Sequence, residues 1–232
     1  SARSRNGMRI HCIFEPDSPE RLCTLGLSAE RSGFDSVWLP NMLSARDPFL
    51  ALAKLACASQ TIRMGPVAIS PFELHPLKIA NSLLTLNELS GGRASLVVGG
   101  GGGTMIGMGL KPDRRATDPH MLGGVAECLE FLHRAVKGDA FSFDGRLFQV
   151  RDYRPVHTGL AAPRLWLAAN GPQMLALAAR SAGGVMLSDI SLSQLPATLD
   201  ILRTELTDAG RSVAGYPVCN LLAWHVDADR EV

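Results

Sequence analysis

Apolar and polar positions along this chain fall into two alternating rhythms: short apolar runs of strand length, and longer stretches in which apolar residues recur with a helical period. Residues 8–14 predict a strand. Ser18-Pro19-Glu20 then supplies a helix N-cap followed by proline at the first helical position, and the helix runs to about Ser32, where Gly33 closes it. Residues 36–39 predict a second strand, and Pro48 opens a helix with apolar Leu50, Leu52, Ala53, Leu55 and Ala56. Further strands over 62–69 and 94–98 alternate with helices over 77–89 and 122–136. The rhythm resumes with strands over 164–169, 185–187 and 218–226 and helices over 173–182 and 194–209.

One stretch breaks the alternation. Phe141-Ser142-Phe143 and Leu147-Phe148-Gln149-Val150 flank Asp144-Gly145-Arg146, which predicts a hairpin near residues 140–151 decorating the surface of a single domain over 1–232. Strands joined by helical crossovers imply a parallel sheet with right-handed connections, either closed as a (β/α) barrel or open and doubly wound. A dinucleotide-binding unit would place G-x-G-x-x-G after the first strand, but Glu15-Pro16-Asp17-Ser18-Pro19 stands there.

The glycines sit elsewhere. The apolar run 94–98 opens into consecutive glycines at 99–103, a loop without Cβ atoms at the carboxyl end of a strand, where α/β proteins bind ligands and backbone can approach a flat or phosphorylated molecule. Asn170-Gly171-Pro172-Gln173-Met174 is a second strand-to-helix turn, with free backbone N–H groups and the positive helix end facing one point, suited to phosphate or to a plain helix cap.

Composition narrows the partners. Of 232 residues 46% are apolar, and 23 basic side chains oppose 22 acidic ones, so neither nucleic acid nor a membrane surface is attracted electrostatically. Cys12, Cys23, Cys57, Cys128 and Cys219 lack C-x-x-C spacing and stand among apolar neighbours, which predicts buried, reduced thiols in a cytoplasmic protein rather than disulfides or metal ligands. No apolar run approaches the roughly 20 residues needed to span a bilayer. The expected partner is a small-molecule substrate. Trp38 and Trp166 lie in apolar strand patterns and read as core, while His11 could face either side of its strand.

Taken in order, Gly33-Phe34-Asp35-Ser36-Val37-Trp38, Asp47-Pro48-Phe49, Ile62-Arg63-Met64-Gly65, Ser70-Pro71, His75-Pro76 and Leu89-Ser90-Gly91-Gly92-Arg93 resemble the bacterial luciferase-like superfamily. Residues 143–148 and 169–175 continue the resemblance, which extends over nearly the whole chain and points to the deazaflavin-dependent branch similar to methylenetetrahydromethanopterin reductase.

That resemblance implies a TIM-type (β/α)8 barrel holding the deazaflavin coenzyme F-420 (F420), or alternatively FMN, at the carboxyl ends of its strands, with hydride passing to or from a small organic substrate. It also implies a homodimer formed through the helices 48–59 and 77–89. The chain stops where the seventh helix should begin, so helix 7, strand 8 and helix 8 are expected to be absent. The turn at Asn170, Gly171, Pro172, Gln173 and Met174 would carry the cofactor phosphate, with Ser188 close by, and Gly99, Gly100 and Gly101 would line the ring. A non-prolyl cis peptide is expected at Val67-Ala68 behind the ring, although Val67 is larger than the residue usual there.

Two departures bear on chemistry. Relatives often carry Asp-His where this chain has Asn41-Met42, and deazaflavin-dependent glucose-6-phosphate dehydrogenases carry a glutamate where it has Gly102. Neither replacement titrates. Asn41 can still hydrogen-bond the ring edge and Met42 can pack on its face, leaving Glu73 and His75 as titratable candidates for catalysis, although His75-Pro76 first suits a helix entry. The alternatives are an FMN-dependent monooxygenase and a degenerate cofactor-binding subunit without turnover.

Overall fold

The computed structural model describes residues 7–15, 18–109 and 114–222, with side chains from 121 onward in the last span. Its residues group into two compact units, Ser1–Trp166 and Leu167–Val232.

In the first unit, β1 (His11–Ile13), β2 (Ser36–Pro40) and β3 (Arg63–Val67) pair in parallel in that order, Cys12 opposite Val37 and Val37 opposite Met64. β4 (Ser95–Val98) continues the parallel arrangement through the bridges Met64–Ala94 and Ile69–Val98. β1 is shorter than its apolar run suggests. The helices between the strands are α1 (Pro19–Arg31), α2 (Pro48–Ala58) and α3 (Pro76–Leu89), each with proline in its first turn. Their caps are Ser18, Asp47 and His75, whose side chains accept the N–H of Arg21, Leu50 and Leu77 at 3.1, 2.8 and 3.2 Å.

The interior of this unit is set by Trp38, fully buried on β2. Its ring meets Trp166 edge to face, with centroids 6.1 Å apart. Gly65 on β3 faces this ring, and a Cβ there would run into the Ser95 carbonyl, so only glycine lets β3 and β4 come this close. His11 belongs to the same cluster: its Nδ1 accepts the Trp38 indole N–H at 3.1 Å, and burial lowers its pKa.

α2 buries Ala51, Leu52, Leu55 and Ala56 within the chain, Leu55 packing over Gly26 of α1. Much of the apolar surface that suggested a dimer contact is therefore covered internally, while Leu50 stays 77% exposed. Cys23 and Cys128 are buried as expected, but Cys57 at the end of α2 is exposed.

After β4 the structure forms a short helix α4 (Gly103–Gly107) that the glycine run did not predict, and α5 (Arg114–Ala135) starts earlier than its apolar period suggests. The hairpin is present as β5 (Phe141–Asp144) and β6 (Gln149–Tyr153). It is more than decoration, because Phe143, Val150 and Tyr153 are buried and Phe131 of α5 lies 5.1–5.6 Å from the rings of Phe141, Phe143 and Tyr153.

β7 (Arg164–Ala168) begins in the first unit, where the Arg164 N–H donates to Ala94 O at 3.2 Å. In the second unit, Leu167 and Ala168 pair in parallel with β8 (Val185–Ser188), which pairs in parallel with β9 (Val218–Leu221). α6 (Pro172–Ser181) and α7 (Leu195–Asp208) connect them. The architecture is thus α/β with parallel strands and helical crossovers. The expected strand over 218–226 is described only through Leu222, and the expected loss of later elements lies outside the described residues.

Candidate functional site

Four of the residues singled out from the sequence meet at the carboxyl ends of β2 and β3. Asn41 follows β2 directly, and its backbone N–H donates to Val67 O at 2.9 Å. The Val67-Ala68 peptide is cis, as the resemblance implied. From that fixed position Asn41 Nδ2 donates to Glu73 Oε2 at 2.6 Å and, more weakly, to Ala68 O at 3.4 Å. Glu73 stands in the turn after β3, with its backbone N–H donating to Ser70 O at 3.1 Å. Burial pushes the Glu73 carboxyl above its usual range, and the Asn41 amide and the Ser70 backbone partly oppose that rise.

The glycine loop lies beside this group. Gly99 N–H donates to Ile69 O at 3.0 Å, which extends the contact between β3 and β4 by one residue. Gly100 and Gly101 are not open, contrary to what a loop without side chains suggests: Met121 occupies the place a Cβ would take at Gly100, and Met105 does so at Gly101. Ser70 Oγ also approaches Gly101, whose φ of +82° is one that glycine adopts freely. At Gly102, by contrast, nothing lies within 4 Å of a Cβ position.

Met42 is half exposed and lines a cavity of about 220 Å³ with Glu15, Leu39, Pro40 and Arg46. His75 does not join the cluster. Its Nδ1 is taken by the Leu77 N–H at the start of α3, and its ring stands edge-on to Phe148 with centroids 5.4 Å apart, so in this structure it caps a helix.

In the second unit, Asn170 and Ser188 form a reciprocal pair. Asn170 Oδ1 accepts the Ser188 N–H at 2.9 Å while its Nδ2 donates to Ser188 O at 2.8 Å. Asn220 on β9 repeats the device two residues on, accepting the Ile190 N–H at 3.3 Å and donating to Ile190 O at 2.8 Å. Between them Asp189 adopts a φ of +54°, and its N–H donates to Leu221 O at 2.9 Å. Ser188 Oγ donates to the Asp189 carboxylate at 3.1 Å. The backbone N–H and hydroxyl of Ser188 are thus committed within the chain.

The adjoining turn is freer. Gly171 is the N-cap of α6 without a side-chain cap, nothing lies within 4 Å of its Cβ position, and Pro172 fills the first helical position. The N–H groups of Gln173 and Met174 fall in the first turn, where a helix has no internal partner for them. Sequence reasoning missed Asn220 and Asp189; an asparagine in an otherwise apolar strand was the available signal.

Among the described residues no helix is long and apolar enough to cross a membrane, and no group of His, Cys, Asp or Glu is placed to hold a metal ion.

Residues 4–232 match the family model for luciferase-like monooxygenases. The chain is 29% identical over 207 residues to 5,10-methylenetetrahydromethanopterin reductase of Archaeoglobus fulgidus, covering 88% of this chain and 59% of that protein. It is 26% identical over 187 residues to an F420-dependent hydroxymycolic acid dehydrogenase of Mycobacterium tuberculosis, covering 77% and 51% respectively. Among solved structures, the coenzyme F420-dependent tetrahydromethanopterin reductase of Methanopyrus kandleri superposes with a TM-score of 0.83 at 22% identity, over 96% of this chain and 67% of that one. The chain therefore spans about half to three-fifths of the length of these two curated relatives.

Proposed function

Because the chain belongs to the luciferase-like monooxygenase family, we propose that it is an oxidoreductase that binds F420 at the carboxyl ends of its strands and moves hydride to or from a small organic substrate. The observation that carries this reading is the Asn41–Glu73 contact, which puts a titratable group at the strand ends where barrels of this class bind ligands. The F420-dependent relatives support a deazaflavin over FMN, the alternative cofactor.

Residues of each unit, taken by itself, suit a part of such a group. Gly171 leaves its Cβ position empty, and no side chain caps α6, so the N–H groups of Gln173 and Met174 would hold a phosphate together with the helix dipole. Pro172 presets the backbone there, and Asn170 fixes the strand end from which the turn departs, through Ser188. Asn41, Met42, Val67 and Ala68 would contact the ring. Gly99, Gly100 and Gly101 would line it once Met105 and Met121 swing aside, which flexible thioether side chains do at little cost. When bound, the cofactor supplies the hydride donor or acceptor.

The chain's own residues do the rest. Asn41, tied to Val67, keeps its amide on Glu73, whose carboxyl is the group at these strand ends that can give or take a proton. One observation favours a cofactor-binding subunit without turnover: Asn41, Met42 and Gly102 carry no titrating group. We also propose a homodimer through α2 and α3, for which the exposed Leu50 is the support.

The test is direct. Purified protein is titrated with F420 and with FMN while cofactor fluorescence is followed, then assayed for oxidation or reduction of a panel of alcohols, ketones and imines. Saturable binding of F420 with slower or no FMN binding is expected, and binding of neither overturns the reading.

A further inference from the structure

We propose that Glu73 delivers the substrate's proton and that Asn41 is its positioning residue, so that proton transfer in this chain has moved onto the turn after β3. The inference rests on the reading that the same strand ends bind a reduced deazaflavin or flavin.

Asn41 is fixed from two sides. Its backbone is tied to Val67 O, and the two hydrogens of Nδ2 meet two acceptors, Glu73 Oε2 at 2.6 Å and Ala68 O at 3.4 Å. Turning the amide over would set Oδ1 against the Ala68 carbonyl oxygen and against the Glu73 carboxylate left once the proton has gone, so the orientation is defined by its partners. With Oε2 on the Asn41 amide, Oε1 is the oxygen assigned the proton.

The surroundings suit an acid. Glu73 is half-buried, and the groups acting on it among the described residues are the Asn41 amide from the end of β2 and the Ser70 backbone from its own turn, with no charged side chain among those described. His75, two residues on, is committed to the start of α3. Burial favours the neutral carboxyl, while the short bond from Asn41 stabilises the anion formed when the proton leaves. An acid whose neutral form burial favours, with its conjugate base already supported, is what proton delivery needs.

In a reduction, a substrate carbon–oxygen or carbon–nitrogen double bond takes hydride at carbon from the reduced cofactor, which is oxidised. The heteroatom takes the proton from Glu73 Oε1, and Glu73 is left as a carboxylate with Asn41 on Oε2. Solvent returns the proton. Oxidation runs the same step backwards, with Glu73 as the base. With the proton on Glu73, held across 32 residues of sequence by Asn41, neither Asn41-Met42 nor Gly102 needs to titrate.

The test has two arms. In protein without cofactor, ¹³C NMR of labelled glutamate, with Glu73→Gln assigning the signal, should show Glu73 titrating above the ordinary carboxylate range and higher still in Asn41→Ala. With cofactor and substrate, kcat for reduction should fall as pH rises through that value. Asn41→Ala should move the falling limb to higher pH, Glu73→Gln should remove the limb and lower kcat by roughly 100-fold or more with little change in KM, and Glu73→Asp should restore part of the rate. A Glu73 signal in the ordinary range and unmoved by Asn41→Ala, or a Glu73→Gln variant with the wild-type limb and rate, overturns the inference. If neither cofactor binds, the functional reading fails and this inference with it; binding with an ordinary Glu73 titration sinks the inference alone.

Discussion

Both carboxylate oxygens of Glu127, on α5, accept the backbone N–H of a single residue in the hairpin turn, Leu147, at 3.2 and 2.9 Å. The neighbouring N–H groups of Arg146 and Phe148 donate to the same carboxylate at 2.9 and 3.0 Å. One side chain thus replaces the ladder partners that the turn lacks.

Glu127→Ala should therefore loosen the hairpin from α5. Charge-assisted bonds to backbone donors that are left unsatisfied predict a loss of about 2 to 3 kcal/mol, read as a lower urea midpoint and faster amide exchange at Leu147 and Phe148. A midpoint within about 0.5 kcal/mol of wild type contradicts this account.

Arg93 plays a comparable part at the end of α2. Its guanidinium donates to Ser59 Oγ, Ile62 O, Ala56 O and Ser59 O at 2.7–3.1 Å, capping helix carbonyls and holding the entry to β3. Arg93→Lys should recover less than half of the stability lost in Arg93→Ala, because an ammonium cannot span the same fork of acceptors. Equal midpoints for the lysine variant and wild type would show that charge alone suffices.

His11 predicts an acid sensitivity. Burial lowers its pKa, with Arg9 and Arg164 acting in the same direction and Asp35 against them. Below about pH 6.5 the unfolded chain takes up the proton more readily than the folded one, so stability falls with pH until the folded value is passed and then levels. Protonation also removes the acceptor of the Trp38 indole N–H. Stability of wild type relative to His11→Gln should decline between pH 7 and 5.5, followed by tryptophan fluorescence during chemical unfolding. Parallel pH curves for the two proteins would remove His11 as the cause.

Gly171 and Asn170 separate holding the turn from holding a ligand. Gly171→Val would set a branched side chain where no atom now lies within 4 Å of a Cβ, so F420 affinity should drop tenfold or more with little loss of stability. Asn170→Asp keeps an acceptor for the Ser188 N–H but sets an oxygen against Ser188 O, so local stability should drop by about 1 to 3 kcal/mol. Hydrogen exchange at Ser188 measures the second effect and fluorescence titration the first; unchanged affinity in Gly171→Val places the phosphate elsewhere.

The alternation of strands and helices was legible because proline, capping residues and apolar period agree locally, as at Ser18-Pro19 and Asp47-Pro48. The cis Val67-Ala68 peptide came from resemblance, not from the residues themselves. What escaped is contact between distant residues. Nothing near Asn41 announces Glu73, and nothing near residue 147 announces Glu127, since a hydrogen bond between turns leaves no period in the sequence. The glycine run misled for a related reason: a missing Cβ invites whatever is nearest, and here that is Met105 and Met121. His75 read as a candidate base because a histidine before proline carries no mark of which nitrogen a helix will claim.

The paired amides of Asn170 and Asn220 grip residues 188 and 190 by their main chains alone. Side-chain identity at those two positions is consequently free of the task of keeping the loop in place, and only residue 189, with its positive φ, is restricted to types such as Asp, Asn or Gly. Substitutions there leave both main-chain grips in place, so the strand end keeps its path while the side chains it presents can change.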